Sequence, residues 1–228
     1  MDGREMHFHL AGINNQNFLM RDEETGSYWQ QITGTAIAGR LKGRKLTLVP
    51  QDELTFALWK KEQPNGTVLA PLPRYAAKYE KAIWETEYAK LPTVIHGPKG
   101  TLPDRETIIG IVNNGEAKAY PISNLTAQSP VLLDDVGNQP VMVVVGPDGK
   151  SVRVFSRELA GRSLDFYSRG SPGDSWTLLD TVTLGEWGFD GCALSGDMKG
   201  QCLTRIDALK DYWFDWQNYH RHSSIYRH

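Results

Sequence analysis

The chain has 228 residues, of which 40% are hydrophobic and 23% are charged, and its formal net charge at pH 7 is -2. This composition is ordinary for one large globular domain or two small ones, and the near-neutral charge gives no field that would attract nucleic acid. No apolar run approaches the roughly 20 residues that span a bilayer, and the first ten residues lack the apolar core of a signal peptide, so we expect neither membrane insertion nor a signal peptide in this chain.

The first part of the chain alternates strand patterns with turns and then changes to a helical period. Trp29 starts one strand after the turn sequence DEETGS, in which Gly26 can take a positive φ. Further strands are predicted from short, partly alternating runs at residues 4–10, 17–22, 35–38 and 46–49. After Pro50, Leu54 and Leu58 predict an amphipathic helix of about three turns, with charged residues on its far side.

Residues 70–104 form a connector with a helical pattern. Pro71 and Pro73 precede RYAAKYEKAIWETEYAKL, in which alanines, lysines and glutamates at helical spacing predict one helix. Pro92 ends this pattern. We expect the aromatic residues of the connector helix to pack it against a neighbouring lobe.

Strand patterns return from residue 105 and form two predicted hairpins. Asn114-Gly115 joins IIGIV to AKAYPI, and Asn-Gly is the strongest short turn signal for a hairpin. The second hairpin pairs VMVVV (141–145) with VRVF (152–155) across GPDGKS. A bounded apolar run of five residues predicts a strand that is buried on both faces.

One tryptophan- and glycine-rich stretch occurs twice. Residues 24–46 are ETGSYWQQITGTAIAGRLKGRKL, and residues 182–203 are VTLGEWGFDGCALSGDMKGQCL. Trp29 corresponds to Trp187 when one residue is dropped after the tryptophan. The glycines that correspond are Gly34 and Gly191, Gly39 and Gly196, and Gly43 and Gly200.

The likeness extends beyond this stretch and predicts an internal duplication. Residues 160–226 follow the residue order of 2–69, including a second amphipathic helix that we predict from an N-cap at Asp207 through ALKDYWFDWQNY. We call residues 1–69 the first tryptophan module and residues 158–228 the second tryptophan module. The period is too long, and the copies are too few, for a solenoid.

Cys192 and Cys202 flank the Gly-rich turn SGDMKG. Their counterparts in the first module are Thr35 and Lys45, and lysine is rarely buried, so position 202 is not expected deep in the core. We favour a disulfide, worth roughly 2–3 kcal/mol for so short a loop, which would imply an oxidising compartment. Two buried thiols, or a redox or metal pair, are the alternatives.

Two histidines and two repeated aspartates are the remaining polar candidates. His7 and His9 alternate along a strand and face the same side, as metal ligands can, although their surroundings also suit surface or packing roles. Asp22 and Asp180 precede equivalent turns, where their carboxylates can accept backbone N–H groups. The same aspartates could instead face a shared ligand cleft.

The two repeated tryptophans allow two interpretations. Trp29 and Trp187 are each followed by glycines that permit close packing, so we favour core anchors. A stacking platform for a sugar or another flat ligand is the alternative. With Asp22 and Asp180, these tryptophans form the candidate ligand-binding set.

The runs ETGSYWQQITGTAIAGRLKGRKL, LKDYWFDWQNYH and IVNNGEAKAYPI resemble the domain-of-unknown-function 3179 family. This resemblance implies a prokaryotic protein, periplasmic or extracellular, without an established activity. It also implies that each duplicated unit begins with a leading hairpin module, which residues 105–157 supply for the second unit. The first unit lacks one, and Gly146–Gly149 stands where the family's Cys-Pro-Leu-Cys segment would fall, so the family's Cys/His site has no counterpart.

An incomplete first unit would leave unpaired backbone groups along a sheet edge. We therefore expect either that Met1 is not the start of a complete two-unit protein, or that a second chain covers this edge. The predicted domains are residues 1–69, 70–104 and 105–228.

These patterns predict a β-dominated α+β protein with two pseudo-equivalent lobes. Each lobe is expected to be an antiparallel sheet or partly open barrel with one amphipathic helix, and a connector helix joins the lobes. Because no catalytic constellation, phosphate loop or HExxH motif is present, we predict a non-catalytic binding or interaction module without a cofactor. Its partner would be a ligand or another protein. The alternative is a metal-binding or enzymatic protein whose site lies between the lobes, at His7, His9, Asp22 and Asp180, or in an upstream module.

Overall fold

The computed structural model describes residues 3, 5–14, 17–79, 83–99, 101–125, 130–170 and 176–227. Over these ranges the chain is β-dominated, and its sheets are separate, mainly antiparallel and not closed into a barrel, which confirms the predicted α+β class. The strands are β1 Phe8–Asn14, β2 Asn17–Asp22, β3 Tyr28–Gln30, β4 Thr35–Ala38, β5 Thr107–Asn113, β6 Glu116–Pro121, β7 Val131–Val136, β8 Gln139–Val145, β9 Val152–Ser156, β10 Glu158–Leu159, β11 Arg162–Ser163, β12 Phe166–Arg169, β13 Thr177–Asp180, β14 Glu186–Trp187, β15 Ala208–Tyr212 and β16 Ser224–Ile225. The helices are α1 Phe56–Glu62, α2 Trp84–Tyr88 and α3 Trp213–Tyr219, and 3₁₀ turns occur at Pro73–Lys78 and Ile122–Asn124.

The first tryptophan module is a four-stranded sheet in the order β1-β2-β3-β4. Its first strand begins at Phe8 and runs to Asn14, later than the predicted residues 4–10. The predicted strand at residues 46–49 is wrong, because pairing ends with an isolated bridge between Thr35 and Lys45. Beyond that bridge the chain leaves the sheet and runs to α1.

Helix α1 is shorter than the three turns that the sequence predicted. Thr55 is its N-cap, with an extended backbone and a hydroxyl that accepts the Leu58 N–H at 3.3 Å, so helical geometry cannot start before Phe56. The same hydroxyl donates to Asp148 at 2.6 Å, and the Thr55 N–H donates to Ser151 at 3.0 Å. These bonds attach the start of α1 to the β8–β9 turn of the leading module.

The connector contains two short helical segments, so the single helix predicted from residue 74 to residue 91 is wrong. The 3₁₀ turn stops because Tyr79 is extended, with φ -73° and ψ 141°. The Tyr79 hydroxyl accepts a hydrogen bond from the Leu72 N–H at 2.7 Å. Tyr75 and Tyr79 are exposed rather than packed against a lobe.

The leading module contains both predicted hairpins. Strands β5 and β6 pair across Asn114-Gly115, where both residues have the positive φ of a tight hairpin turn. Strands β7, β8 and β9 form the second sheet. Alternate residues of β8 enter different cores, Met142 and Val144 on one face and Val143 on the other, as predicted for a strand buried on both sides.

The second tryptophan module differs from the predicted structure at its helix. Residues after Asp207 form β15, which pairs antiparallel with β5, and α3 begins only at Trp213. Although the apolar residues in ALKDY have helical spacing, this segment forms a strand because its backbone hydrogen-bonds to β5. Asp207 is consequently not an N-cap; that position belongs to Tyr212.

The two tryptophan modules share their backbone hydrogen bonds at matched positions. Phe8 pairs with Asp22, and Phe166 pairs with Asp180. The Thr35–Lys45 bridge corresponds to a bridge between Cys192 and Cys202. Further matched bonds are Ala36 N to Arg44 O and Ala193 N to Gln201 O, Gly43 N to Ala36 O and Gly200 N to Ala193 O, and Leu46 N to Gly34 O and Leu203 N to Gly191 O.

Three apolar cores hold the described chain together, and none contains a residue of the β1–β4 sheet. The largest joins the second tryptophan module to β8, β9 and α1. The second lies between the β5–β6 hairpin and the β7–β9 sheet, and the third lies between that hairpin and α3. No helix in the described ranges is long and apolar enough to cross a membrane.

Candidate functional site

The predicted ligand-binding residue Asp180 closes a turn in the second tryptophan module. Its carboxylate accepts the Trp187 indole N–H at 3.0 Å, the Thr183 hydroxyl at 2.6 Å and the Gly185 N–H at 3.1 Å. The residue is fully buried. Burial alone would raise the pKa of Asp180, but these hydrogen bonds outweigh it and hold the pKa below its ordinary value.

Asp22 makes the same bonds in the first module. It accepts the Trp29 indole N–H at 2.7 Å, the Thr25 hydroxyl at 2.9 Å and the Ser27 N–H at 3.1 Å. Asp22 and Trp29 are both fully buried. We call this arrangement the Asp–Trp lock, and each module has one.

The two locks lie in different sheets, so the structure does not bring all four predicted ligand-binding residues together. Within each lock, the carboxylate oxygens already serve several donors from the turn. Ligand binding by Asp22, Trp29, Asp180 and Trp187 stays a prediction, and a ligand would have to compete with the bonds that close the turn.

The two predicted histidine ligands pair with glutamates instead of converging on one another. His7 Nδ1 lies 2.7 Å from Glu24 Oε1, and this contact raises the pKa of His7. His9 Nδ1 lies 3.9 Å from Glu23 Oε1. Among the described residues, no group of three or more His, Cys, Asp or Glu side chains could hold a metal ion.

Cys192 and Cys202 form a disulfide, which confirms the predicted pairing. Their sulfur atoms are 2.07 Å apart, and their Cα atoms are 4.0 Å apart across the antiparallel bridge. Cys202 is exposed, as its matched residue Lys45 is. The bond therefore ties the two ends of a surface loop in the second module, where the first module has only the bridge.

An apolar surface on the β1–β2 hairpin was not identified from the sequence. Directly paired residues of an antiparallel sheet share a face. Leu10 pairs with Met20, which pairs with Trp29, and Ile13 pairs with Phe18 on the same side after the bulge that follows Leu10. The exposed fractions are 62% for Leu10, 71% for Ile13 and 53% for Phe18. We call these three residues, with the adjacent Phe8, the uncovered face.

The matched face of the second tryptophan module is covered. Phe166 is only 4% exposed, whereas its counterpart Phe8 is 36% exposed. Phe166 and Trp187 pack in one core with residues of β8 and β9 and with Leu58 of α1. Thus the leading module's sheet and α1 lie over the second module, and the described chain places no corresponding sheet over the first.

A cleft separates the first tryptophan module from α3. It encloses about 370 Å³ and is lined by Leu48 and Lys45 of the first module, Val112 of β5, and Trp216 and His220 of α3. The His220 ring packs at a tilt on Trp216, with centroids 4.0 Å apart. Burial lowers the pKa of His220, and the charge of Lys45 lowers it further. The volume and the mixed lining suit a small ligand.

One half-buried and one buried carboxylate beside α3 were also missed. Asp211 is in β15 and Asp215 is in the first turn of α3. Burial raises the pKa of Asp211 to about 8, and the charge of Asp215 adds to this effect. Burial also raises the pKa of Asp215. The hydrogen bond that Asp215 accepts from Asn17 acts in the opposite direction but is the smaller effect.

A signal for these carboxylates was present in the repeat. The offset that aligns Trp59 with Trp216 also aligns Leu54 with Asp211 and Leu58 with Asp215. An apolar pair in one copy is therefore an acidic pair in the other. The uncovered face gave no comparable signal, because an alternating apolar strand has the same pattern whether or not another layer packs on it.

Comparison with known proteins gives one match. A family model described as "Protein of unknown function (DUF3179)" matches residues 1–223. No curated protein and no solved structure matches the chain.

Proposed function

The chain belongs to the DUF3179 family of proteins of unknown function, and we propose that it is a non-catalytic interaction module. In this proposal a second polypeptide docks on the uncovered face of the first tryptophan module. The observation that carries the proposal is the difference between two matched sheet faces, one buried under two layers of the fold and the other exposed along its outer hairpin, beyond the buried Trp29.

The exposed residues form one continuous row rather than scattered single side chains. Leu10, Ile13 and Phe18 are each more than half exposed and lie on one side of a two-stranded hairpin. Contiguous apolar patches of this kind mark interaction surfaces, whereas isolated apolar residues are ordinary. Among the described strands β1 is at the edge of its sheet, so its outer backbone groups add hydrogen-bonding capacity to the same region.

The covered module indicates what kind of partner would fit. Trp187 and Phe166 meet an apolar sheet face, which includes Met142 and Phe155, together with the apolar side of a short helix that carries Leu58. A partner for the first module would present a similar apolar sheet or helix. In purified protein, the available partner is a second copy of the chain.

We also propose that the two tryptophan modules arose by duplication. The matched Asp–Trp locks and the matched bridges support the duplication. The domain boundaries then fall at residues 1–69, 70–104 and 105–228. The Cys192–Cys202 disulfide supports an oxidising compartment.

A metal-binding or enzymatic site between the lobes has less support. Its residues would be His7, His9, Asp22 and Asp180, but both aspartates are buried within their own turns and both histidines face glutamates. The cleft beside Trp216 is a second candidate region, as a small-molecule site, because it has the volume and lining for one.

We expect the double substitution Leu10→Glu/Ile13→Glu to weaken self-association of the purified chain by about tenfold or more. Two carboxylates on this face would have to lose their hydration in the complex. Sedimentation velocity across the micromolar range measures the effect. The wild-type chain should associate, and the variant should remain monomeric.

The matched control is Val182→Glu/Leu184→Glu, which changes two exposed apolar residues in the turn of the second module. This control should associate like the wild type. A wild-type chain that is monomeric throughout, and that does not bind the apolar dye bis-ANS any better than the Leu10→Glu/Ile13→Glu variant, would contradict the proposal.

A further inference from the structure

Asp211 and Asp215 lie where β15 passes into α3, next to the start of β2. Asn17 Nδ2 donates to Asp215 Oδ2 at 2.8 Å, which links the first tryptophan module to α3. Asp211 Oδ1 accepts the Tyr212 N–H at 2.7 Å. The two carboxylates and the amide therefore belong to three different elements that meet at one place.

Three oxygen atoms at this place have no hydrogen-bond partner. They are Asp211 Oδ2, Asp215 Oδ1 and Asn17 Oδ1, and all three are buried. Asp215 is only 7% exposed. A buried carboxylate oxygen without a donor is costly, and native proteins normally pair it with a donor or a cation.

The described protein supplies no positive charge here. Neither aspartate is influenced by a Lys, Arg or His side chain, and the only charged neighbour acting on Asp211 is Asp215 itself. Two carboxylates that are close together and shielded from water repel each other when both are ionised, and a bound cation would remove that repulsion.

Packing does not require carboxylates at these positions. In the first copy the matched residues are Leu54 and Leu58, and Leu58 is buried in the largest core. The second copy thus has acids at two positions where leucines pack well in the same repeat. A ligand for the acids would account for this difference.

We propose that Asp211, Asp215 and Asn17 bind a hard divalent cation, Ca²⁺ or Mg²⁺. Carboxylate and side-chain amide oxygens are the ligands that these ions take in proteins, and waters complete their coordination. The set differs from a His- or Cys-based centre, since it has two acids and one amide. The cation would satisfy the three oxygens and fasten β2 to α3. The proposal does not depend on the uncovered face.

The test adds Ca²⁺ or Mg²⁺ to chelator-treated full-length chain and measures binding by titration calorimetry and Tm by circular dichroism. We expect one cation per chain and a rise in Tm of about 5 °C at a hundredfold excess over Kd. Comparing the two ions shows which one the site prefers. Either preference supports the site.

Two variants locate the binding. Asp211→Leu/Asp215→Leu installs the residues of the first copy and should fold without responding to either ion. Asp215→Asn keeps the size of the side chain and should lose at least tenfold in affinity, which guards against misfolding of the leucine variant. Glu23→Gln/Glu24→Gln, an exposed acidic pair elsewhere, is the control and should respond like the wild type.

Two results would overturn the proposal. One is the absence of binding of either ion to the wild-type chain at millimolar concentration. The other is unchanged binding in Asp215→Asn. Neither result bears on self-association, which is measured separately with the variants of the uncovered face.

Discussion

Replacing Asp180 by asparagine lowers the free energy of unfolding by about 3 kcal/mol or more. The asparagine has the shape of the aspartate, but both carboxylate oxygens of Asp180 accept N–H groups, one from Val182 and Thr183 and the other from Gly185 and Trp187. In either orientation the asparagine NH₂ group would therefore face N–H donors. The Trp187 indole N–H is buried and has Asp180 as its acceptor, and the Gly185 N–H would keep only a longer bond to the Thr183 hydroxyl at 3.3 Å. Urea denaturation followed by tryptophan fluorescence measures the loss.

This effect depends on pH in a direction that the pKa of Asp180 determines. Its folded pKa lies below the ordinary 3.8, so the ionised carboxylate stabilises the fold above that pH. The stabilisation is lost as the pH falls through the folded pKa. The difference in stability between the wild type and Asp180→Asn should therefore narrow below about pH 4.

Two control substitutions show whether the loss of stability is specific to the Asp–Trp lock or common to any aspartate in a turn. Asp190→Asn changes an exposed turn aspartate and should cost less than about 1 kcal/mol. Asp22→Asn should melt the β1–β4 sheet while the main unfolding transition changes little, because no residue of that sheet belongs to a core cluster. Equal effects of Asp180→Asn and Asp190→Asn on stability would contradict the structural role of the lock.

Replacing Arg153 by alanine costs about 3–5 kcal/mol, the range for removing one partner of a buried ion pair. The Arg153 guanidinium is buried and lies 2.7 Å from Asp52 and 2.6 Å from Glu62. It also stacks on Phe189, with 4.6 Å between the guanidinium carbon and the ring centroid. Without it, Glu62 would lose its partner at the end of α1, and Asp52 would keep only its ion pair with Arg205. Urea denaturation measures the cost.

A second readout identifies which contact is lost. Limited proteolysis in Arg153→Ala should cleave residues 50–69 faster, since Arg153 holds α1 on the second module. Arg169→Ala, which breaks an exposed pair with Glu186, is the control and should cost less than about 1 kcal/mol. If α1 stayed as protected as in the wild type, its role as a cover for the second module would be wrong.

Sequence patterns predicted the structure correctly where it depends on the chemistry of neighbouring residues. Asn114-Gly115 forms its hairpin because positive φ at both positions is inexpensive for these residues. The run at Val141–Val145 is buried on both faces because five consecutive apolar side chains must point to alternate sides. The Cys192–Cys202 disulfide lies on the surface, where the matched Lys45 of the first module predicted that position 202 would not be deep in the core.

Patterns failed where distant segments decide the structure. ALKDY has helical spacing, yet it forms β15 because the edge of β5 is available to pair with it. The connector has good helix formers, yet the extended backbone at Tyr79 interrupts it. The pairing with β5 is not visible in a short window of sequence.

The candidate site was only partly accessible from the sequence. The aspartates and tryptophans of the locks were found, because repetition marks them, but their pairing as donor and acceptor required the fold. The acids at Asp211 and Asp215 could have been found by comparing the two copies position by position. The exposure of Leu10 and Ile13 could not have been found in this way, because it depends on which sheet packs on which module.

The central claim is that matched faces of the two tryptophan modules differ in what covers them. Carbene footprinting of the full chain, at low and at high protein concentration, tests it most directly. The account predicts heavy labelling of Leu10, Ile13 and Phe18 at low concentration, protection of these residues at high concentration, and little labelling of Phe166 or Leu178 at either. Equal labelling of both faces, or labelling of the uncovered face that does not change with concentration, would contradict it.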